Sequence, residues 1–387
     1  MRASTDRILT THVGALPAPP GLWSDAVVDD ALLQDSVTQV VRQQRAVGID
    51  IVNEGELTKR GNWTSFVNDR LTGFNPRQAG GSAKLLAQSA DWIEFQDYYV
   101  AAMEAGTLFE QTGKAPGQAR SVDWSCEGAI GYVGQDALQR EIDLLRAGIG
   151  ESSPGDAFLT STAPASIETG RENNFYRSQE EYIFALADAL SVEYEAIASA
   201  GFIVQVDDAW LAALWDRIGI QMGLPAYRKY CAIRVEALNH ALRNIPVGKI
   251  RYHLCWGSWH GPHTMDIPLA DIVDTMLSVK AQTYLFEAAN VRHEHEFRVW
   301  EAVKLPDDKI LAPGVVTHST PLIEHPELVA FRLERFAQLV GRERVIASTD
   351  CGVGLRCHPQ IAWAKLKALS DGAALASRAL WSHRPAA

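Results

Sequence analysis

Eight short apolar segments alternate with helical patterns along this chain, and that alternation restricts the possible folds more than any other feature. The predicted strands cover residues 8–13, 49–52, 157–160, 202–206, 250–255, 283–286, 310–316 and 344–347. The predicted helices cover residues 37–47, 180–200, 227–243, 267–279, 293–304, 326–340 and 359–369. Eight strands that alternate with helices are typical of a parallel barrel. The sequence therefore predicts an α/β fold, one (β/α)8 TIM barrel over residues 1–387.

One interval is too long for an ordinary strand-to-strand connection. Residues 57–155 separate the second and third predicted strands, and we interpret them as an insertion that covers the top of the barrel. Within this interval the pattern indicates a helix over residues 83–106 and a hairpin around residues 122–133.

Composition restricts the partners and the compartment. The net charge of −11 argues against nucleic acid or an anionic membrane surface as a partner. No apolar stretch approaches the roughly 20 residues that span a bilayer, and the N-terminus lacks the apolar core of a signal peptide. Five dispersed cysteines do not resemble a disulfide framework. We expect a cytoplasmic protein with reduced thiols that acts on small molecules.

Polar side chains follow most of the predicted strands, where the active site of such a barrel lies. His253 and Cys255 are two residues apart on one strand, so both side chains point the same way. Glu287 and Cys351 follow two other strands. An imidazole, two thiols and a carboxylate match the N, S and O ligands that zinc prefers. The other strand ends carry His12, Asn53, Glu54, Glu56, Asp207, Asp208, His318 and Asp350.

Each of these residues also has a structural interpretation. Cys351 is compatible with a place in the core, and the Asp207–Asp208 pair is compatible with a cap on the next helix. His293 and Glu296 favour a solvated ion pair on a helix face. A common metal site explains best why so many such residues occur at one end of the predicted barrel.

Seven segments of the chain match one known family in order. They are TTHVGALPAPP (10–20), GIDIVNEGEL (48–57), QVDDAWLA (205–212), HLCWG (253–257), YLFEAAN (284–290), GVVTHSTPLIEHPE (314–327) and STDCGVG (348–354). Together they resemble the catalytic C-terminal barrel of cobalamin-independent methionine synthase, in its short single-barrel form.

The resemblance implies specific roles for the strand-end residues. It implies that zinc is the cofactor, with the ligands His253, Cys255, Glu287 and Cys351. It implies a proton donor or relay at His318. The implied substrate-binding residues are Asp207 and Glu56 for the amino group of homocysteine, with Glu54 as the alternative to Glu56, Gly14 and Ala15 for its carboxylate, and His12 in the same pocket.

Two segments depart from the family pattern. Ala15 stands where the long synthases have serine, and residues 160–166 lack the motifs that flank the folate in those enzymes. The methyl donor, either 5-methyltetrahydrofolate or a methylated corrinoid, therefore stays open.

The leading interpretation is a zinc-dependent thiol alkyltransferase that converts homocysteine to methionine. Its partners would be a small thiol and an alkyl donor, with a corrinoid carrier protein or a homo-oligomer as further possibilities. A second interpretation is an epoxide:thiol transferase resembling epoxyalkane:coenzyme M transferase. A sulfonate-bearing thiol would then need nearby cations, for which the candidates are Arg7, Lys59, Arg60 and Arg292. A third interpretation is a metal-free barrel of the uroporphyrinogen decarboxylase type.

Overall fold

The computed structural model describes residues 1–23, 28–60, 65–77, 88–108, 123–354 and 356–382. The strands in these ranges are β1 Leu9–Thr10, β2 Phe74–Arg77, β3 Asp123–Cys126, β4 Phe158–Thr162, β5 Arg171–Asn173, β6 Ile203–Asp208, β7 Ile250–Leu254, β8 Thr283–Phe286, β9 Ile310–Val316 and β10 Ile346–Thr349. The α-helices are Asp30–Ala46, Ala90–Glu94, Gln96–Glu104, Gln135–Ile149, Pro164–Glu168, Gln179–Ser199, Trp210–Ala213, Ile220–Met222, Leu224–Ala241, Leu269–Leu277, Val299–Ala302, Pro326–Val340 and Pro359–Trp381.

Seven strands form one parallel sheet in the order β1-β10-β9-β8-β7-β6-β4. The predicted second strand joins the two edges of this sheet through hydrogen bonds. The backbone N–H of Ile51 donates to the carbonyl of Thr10 at 3.1 Å, and that of Phe158 donates to the carbonyl of Val52 at 3.0 Å. The sheet is therefore curled, with helices packed outside it. This TIM-barrel-like arrangement agrees with the predicted fold class.

Local signals explain where the surrounding helices begin. Ser178 caps the helix Gln179–Ser199 by accepting from the backbone N–H of Glu181. The helices Pro326–Val340 and Pro359–Trp381 each have proline in the first turn, and the histidine before it provides the capping acceptor. The second of these helices extends past the predicted end, because apolar residues continue on its buried face as far as Ala376.

The segment predicted to be an insertion contributes to a second, smaller sheet. In it β3 pairs antiparallel with β2 and parallel with β5. The predicted hairpin around residues 122–133 is therefore wrong, because Asp123–Cys126 pairs with a segment about 50 residues earlier in the chain. Residues 90–104 are helical as predicted except for a break at Phe95, whereas residues 83–87 and 122 lie outside the described ranges. The helix Gln135–Ile149 packs against Asp30–Ala46 with Leu145 fully buried.

None of the helices in the described ranges is both long and apolar enough to cross a membrane.

Candidate metal centre

The ends of β7 and β10 bring one imidazole and two thiols together. The ligand atoms of His253, Cys255 and Cys351 all lie within 4.8 Å of one another, and the two sulfurs are 3.9 Å apart. His253 and Cys255 are buried, and Cys351 is half-buried. The structure thus places three of the four residues proposed as ligands in one compact cluster.

Glu287, the fourth residue, follows β8 and lies beside this cluster. Its Oε1 is 3.6 Å from Cys255 Sγ and accepts from the backbone N–H of Trp256 at 3.0 Å. Its Oε2 accepts from the side chain of Asn290 at 2.6 Å. Burial raises the pKa of Glu287 to about 7. The carboxyl group is therefore held in place by hydrogen bonds to both oxygens.

The two cluster thiols are hydrogen-bonded to each other, with 3.9 Å between the sulfurs. The hydrogen bond between them lowers the pKa of Cys351 to about 6 and raises the pKa of Cys255. The nearby His253 ring also lowers the pKa of Cys351. One thiolate is therefore present near neutral pH, and the thiolate is the form that binds metals.

His253 presents one nitrogen to a carboxylate and the other to the cluster. Its Nδ1 lies 2.9 Å from Oδ1 of Asp207, which is opposite it in the register between β6 and β7. Its Nε2 is buried and has no hydrogen-bond partner among the described groups. Burial acts to lower the pKa of His253, but the hydrogen bond with Asp207 raises it above the usual value. Asp207 therefore contacts a cluster residue in addition to any contact with substrate.

Asp208, the next residue, points elsewhere and caps the following helix. Its Oδ1 accepts from the backbone N–H of Leu211 at 3.2 Å. The capping interpretation of the Asp207–Asp208 pair therefore holds for its second member, whereas the first faces His253.

Glu56 and Gly14 lie together on another side of the strand ends. A Cβ on Gly14 would overlap with Oε1 of Glu56, so glycine is required for this approach. Burial and the charge of Asp207 raise the pKa of Glu56 to about 8. The carbonyl of Ala15 accepts from the backbone N–H of Gly354 at 2.9 Å, which joins this turn to the loop that follows Cys351.

His12 and Glu54 are also buried at strand ends. His12 Nε2 lies 2.8 Å from Oε1 of Gln44, and its ring packs against Phe158 rather than against the cluster. Burial lowers the pKa of His12 to about 3. Both carboxyl oxygens of Glu54 are buried and lack a hydrogen-bond partner within the described part of the chain, and burial raises its pKa to about 7.

His318 is buried near the cluster. Burial, together with the positive charge of Arg356, lowers the pKa of His318 to about 3. Its Nδ1 has no hydrogen-bond partner among the groups that the structure describes. His318 is therefore neutral near pH 7 in the substrate-free protein.

Two residues around the cluster, Asp350 and Arg356, were assigned no role from the sequence. Asp350 accepts from the backbone N–H groups of Ala288 and Ala289 at 2.8 and 2.9 Å, and so ties the end of β8 to that of β10. Arg356 donates from Nη2 to the hydroxyl of Ser258 at 3.0 Å, while its Nη1 is buried with no partner among the described groups. The position of Asp350 beside Cys351 was a signal in the sequence, but Arg356 had none.

The interpretation of His293 and Glu296 as a solvated ion pair is wrong. His293 is buried, with Nδ1 2.8 Å from Glu296 and Nε2 3.2 Å from Asp266. Its ring lies against Trp256, with 4.4 Å between the ring centroids. The two carboxylates raise the pKa of His293 to about 10 despite the opposing effect of burial. The pair therefore supports the loop beside Glu287.

Residues 168–374 match the family of cobalamin-independent synthase catalytic domains. The chain belongs to this family. The methionine synthase of Saccharolobus solfataricus is 23% identical over 380 residues, covering 94% of this chain and 93% of that relative. The methionine synthase of Thermococcus kodakarensis is 28% identical over 220 residues, which are 57% of each chain.

Solved structures support the family fold. The B12-independent methionine synthase from Shewanella sp. W3-18-1, in complex with selenomethionine, has a TM-score of 0.71 and 16% identity to this chain. The match covers 97% of this chain and 99% of that one. The family match includes Asp207 and the cluster residues, whereas Gly14 and Glu56 lie before it. Membership confirms the predicted resemblance and favours it over a barrel of the uroporphyrinogen decarboxylase type.

Proposed function

We propose that this chain is a zinc-dependent methyltransferase that transfers a methyl group to the thiol of homocysteine and forms methionine. The convergence of His253, Cys255 and Cys351 within 4.8 Å carries this proposal. The names of its relatives, methionine synthase and 5-methyltetrahydropteroyltriglutamate–homocysteine methyltransferase, support the choice of acceptor. The donor is a methylated folate or a methylated corrinoid.

The residues present fit a zinc ion. Zinc–sulfur bonds of about 2.3 Å at a tetrahedral angle separate two sulfurs by about 3.8 Å, and the sulfurs of Cys255 and Cys351 are 3.9 Å apart. The buried Nε2 of His253 lacks a hydrogen-bond partner in the described part of the chain, as a ligand nitrogen would before the metal binds. Glu287 supplies the oxygen ligand, with the backbone N–H of Trp256 and the Asn290 amide orienting it.

Zinc, when bound, supplies thiol activation, because coordination keeps a thiol deprotonated at neutral pH. The chain's own groups bind and orient the acceptor. Glu56 and Asp207 receive the ammonium group of homocysteine, and the turn at Gly14 and Ala15 receives its carboxylate. His12 supports this pocket from behind, through Phe158 and Gln44.

His318 serves as a proton relay in this proposal. Its imidazole is neutral in the substrate-free protein, because burial and Arg356 lower its pKa to about 3. A neutral imidazole relays a proton by accepting one at one ring nitrogen and donating one from the other. Its Nδ1, which has no partner among the described groups, is the atom that would exchange hydrogen bonds with the reacting groups.

The curled sheet is close to a complete barrel, because residues 49–52 bridge its two edges. We propose a closed (β/α)8 barrel in which residues 49–52, the predicted second strand, bring the number of strands to eight. The hydrogen bonds of that segment to both sheet edges support this proposal. Residues 57–155 are the insertion that shapes the donor pocket in this proposal.

Substitution of one cluster thiol tests the proposed function. The unmodified protein should contain about one zinc per chain, and zinc-edge X-ray absorption should show an added sulfur neighbour when homocysteine is present. Cys351→Ser should lose both the zinc and the methyl transfer. Cys231→Ser is the matched control, since Cys231 is buried and hydrogen-bonded to the Leu211 carbonyl outside the cluster. A zinc content that is unchanged in Cys351→Ser would contradict the proposal.

Arg356 favours a second candidate, the epoxide:thiol transferase. Its Nη1 is buried with no partner in the described part of the chain and would receive a sulfonate, and the charge of this arginine already acts on both cluster thiols. Two of the four cations expected from the sequence already have partners. Arg7 pairs with Asp50, and Lys59 donates to the side chain of Thr160. An added sulfur neighbour with coenzyme M but not with homocysteine would favour this second candidate.

A further inference from the structure

We propose that Arg251 and Gln205 are positioning residues that act through Asp207 to hold His253 with its Nε2 free for the metal. The inference rests on the proposed zinc-dependent function and extends it to two residues in the barrel interior. Neither residue belongs to the cluster, and both are fully buried. Strand register and hydrogen-bond direction carry the argument.

The register of two neighbouring strands aligns the four residues in pairs. Gln205 lies opposite Arg251, and Asp207 lies opposite His253, in the parallel pairing of β6 with β7. Residues two apart on a strand project to the same face. Asp207 and His253 therefore lie one step nearer the strand ends than Gln205 and Arg251, on the same face of the sheet.

Arg251 sets the direction of the first hydrogen bond. It donates from Nε to Oε1 of Gln205 at 2.6 Å, and its other two nitrogens donate to Thr11 Oγ1 at 2.8 Å and to the His12 carbonyl at 2.6 Å. A guanidinium group can donate hydrogen bonds but cannot accept them. Gln205 must therefore turn its amide oxygen toward Arg251.

The amide of Gln205 passes this direction on to Asp207. With its oxygen facing Arg251, its nitrogen must face the other way, where it donates to Oδ1 of Asp207 at 2.7 Å and to the carbonyl of Val13. The orientation of an amide is assigned from such partners, and here they leave one choice. Asp207 Oδ1 is therefore an acceptor.

Asp207 in turn determines which nitrogen of His253 carries the proton. Nδ1 lies 2.9 Å from the accepting Oδ1, so Nδ1 donates. A neutral imidazole that donates from Nδ1 has its lone pair on Nε2. That atom is buried and without a partner among the described groups, and His253 belongs to the cluster with both thiols. A donor-only arginine thus orients a metal ligand through two intervening side chains.

The chain contains a matched control. Gln44 is also fully buried and lies 2.8 Å from a histidine nitrogen, that of His12. Its amide nitrogen donates to backbone carbonyls, including that of Asn53 at 2.7 Å, rather than to a carboxylate. Replacing Gln44 therefore removes a similar set of buried hydrogen bonds without touching His253.

Zinc affinity of Gln205→Met and Gln44→Met tests the inference, measured by competition with a chelator. Replacing a residue that orients a metal ligand typically lowers metal affinity by about 10- to 100-fold. We therefore expect Gln205→Met to bind zinc at least about tenfold more weakly than the unmodified protein. The visible spectrum of its cobalt(II) form should also show altered ligand geometry. Gln44→Met should match the unmodified protein in both measurements. Equal zinc affinity in the two variants would overturn the inference.

A second pair of variants at Arg251 keeps the test decisive if Gln205→Met does not fold. Arg251→Lys retains a side chain that only donates but cannot make all three of the hydrogen bonds that Arg251 donates, so it should keep more of the zinc affinity than Arg251→Met does. Arg251→Met should weaken zinc binding, and equal affinity in these two variants would also overturn the inference. If the unmodified protein binds zinc and forms methionine, such an outcome leaves the proposed function intact. Absence of zinc from the unmodified protein would instead contradict the proposed function itself.

Discussion

Two of the buried histidines at the strand ends, His253 and His12, have contrasting surroundings. His253 contacts a carboxylate, and its pKa lies above the usual value although burial opposes this. His12 contacts an uncharged amide, and burial lowers its pKa to about 3. Burial alone therefore suppresses the basicity of an imidazole, whereas a carboxylate partner preserves it and orients the ring. The first arrangement suits a metal ligand and the second suits a supporting wall.

The same contrast extends to the surrounding residues. Near His253, thiol and imidazole atoms converge within 4.8 Å. Near His12, Glu54 and Glu56 are buried carboxyl groups with pKa values raised to about 7 and about 8. We therefore propose that the His253 cluster binds the metal and that Glu56, together with Asp207, recognises the substrate ammonium group. Variants on each side should change different measured quantities.

The largest expected effect comes from removing the carboxylate that distinguishes His253. Asp207→Asn keeps the size of the side chain but removes its negative charge, which weakens the hydrogen bond from Nδ1 and lowers the basicity of Nε2. Zinc affinity, measured by chelator competition, should fall by about 10- to 100-fold.

Asp208→Asn is the control for that variant, because Asp208 ends the same strand but bonds to the Leu211 backbone and the Tyr252 hydroxyl. It should retain zinc. If both variants bind zinc equally well, Asp207 does not orient His253, and the contrast between the two histidines has no bearing on the metal.

A smaller effect is expected from Glu56→Gln on the other side. A charged hydrogen bond to an ammonium group contributes about 1.5–3 kcal/mol, so KM for homocysteine measured above pH 8, where Glu56 is ionised, should rise by at least about tenfold. Zinc content should not change. Glu54→Gln tests the alternative assignment, because the larger rise in KM identifies the carboxylate that binds the ammonium group.

The pH dependence provides a further check on Glu56. Its pKa of about 8 means that the carboxylate is mostly protonated at pH 7. Only the ionised form attracts an ammonium group, so KM should fall as the pH rises from 7 toward 8 and level off above that value. Glu56→Gln should abolish this dependence. A KM that rises with pH in the unmodified protein would contradict the assignment.

The sequence was sufficient to predict the convergence of His253, Cys255 and Cys351 at the candidate metal centre. His253 and Cys255 are two residues apart, and the ends of parallel strands meet at one edge, so proximity followed from strand periodicity. The hydrogen bond from Gln205 to Asp207 was not predictable in the same way. It requires the oxygen of that amide to face Arg251, which depends on the register of β6 against β7.

The features that the sequence did not reveal depend on contacts between distant segments. The pairing of β2 with β3 joins residues about 50 positions apart, and no local turn signal announces it. His293 resembled a surface residue because its buried partners, Asp266 and Trp256, lie on another loop. Arg356 lies on a loop whose sequence shows no periodic pattern, so its approach to Ser258 could not be inferred.

The smallest expected effect concerns the stability of the His12 side. With a folded-state pKa of about 3 and an ordinary value near 6.5, His12 binds a proton in the unfolded state but not in the folded state between those pH values. The unfolded state is then favoured by acid, so stability falls as the pH drops from about 6.5 toward 3, by up to about 1.4 kcal/mol per pH unit. Denaturant unfolding of the unmodified protein and of His12→Gln at pH 6, 5.5 and 5 measures this difference.

His12→Gln should lose stability more slowly on acidification, by roughly 1 kcal/mol per pH unit relative to the unmodified protein. Both proteins keep the same cluster, so proton competition at the thiols cancels in the comparison. His295→Gln is the control, because that residue is exposed and its replacement removes a histidine without changing a buried one. If His12→Gln shows the same slope as the unmodified protein, the His12 ring is protonated in the folded state. The two histidines would then not differ in the way that their partners, an amide and a carboxylate, require.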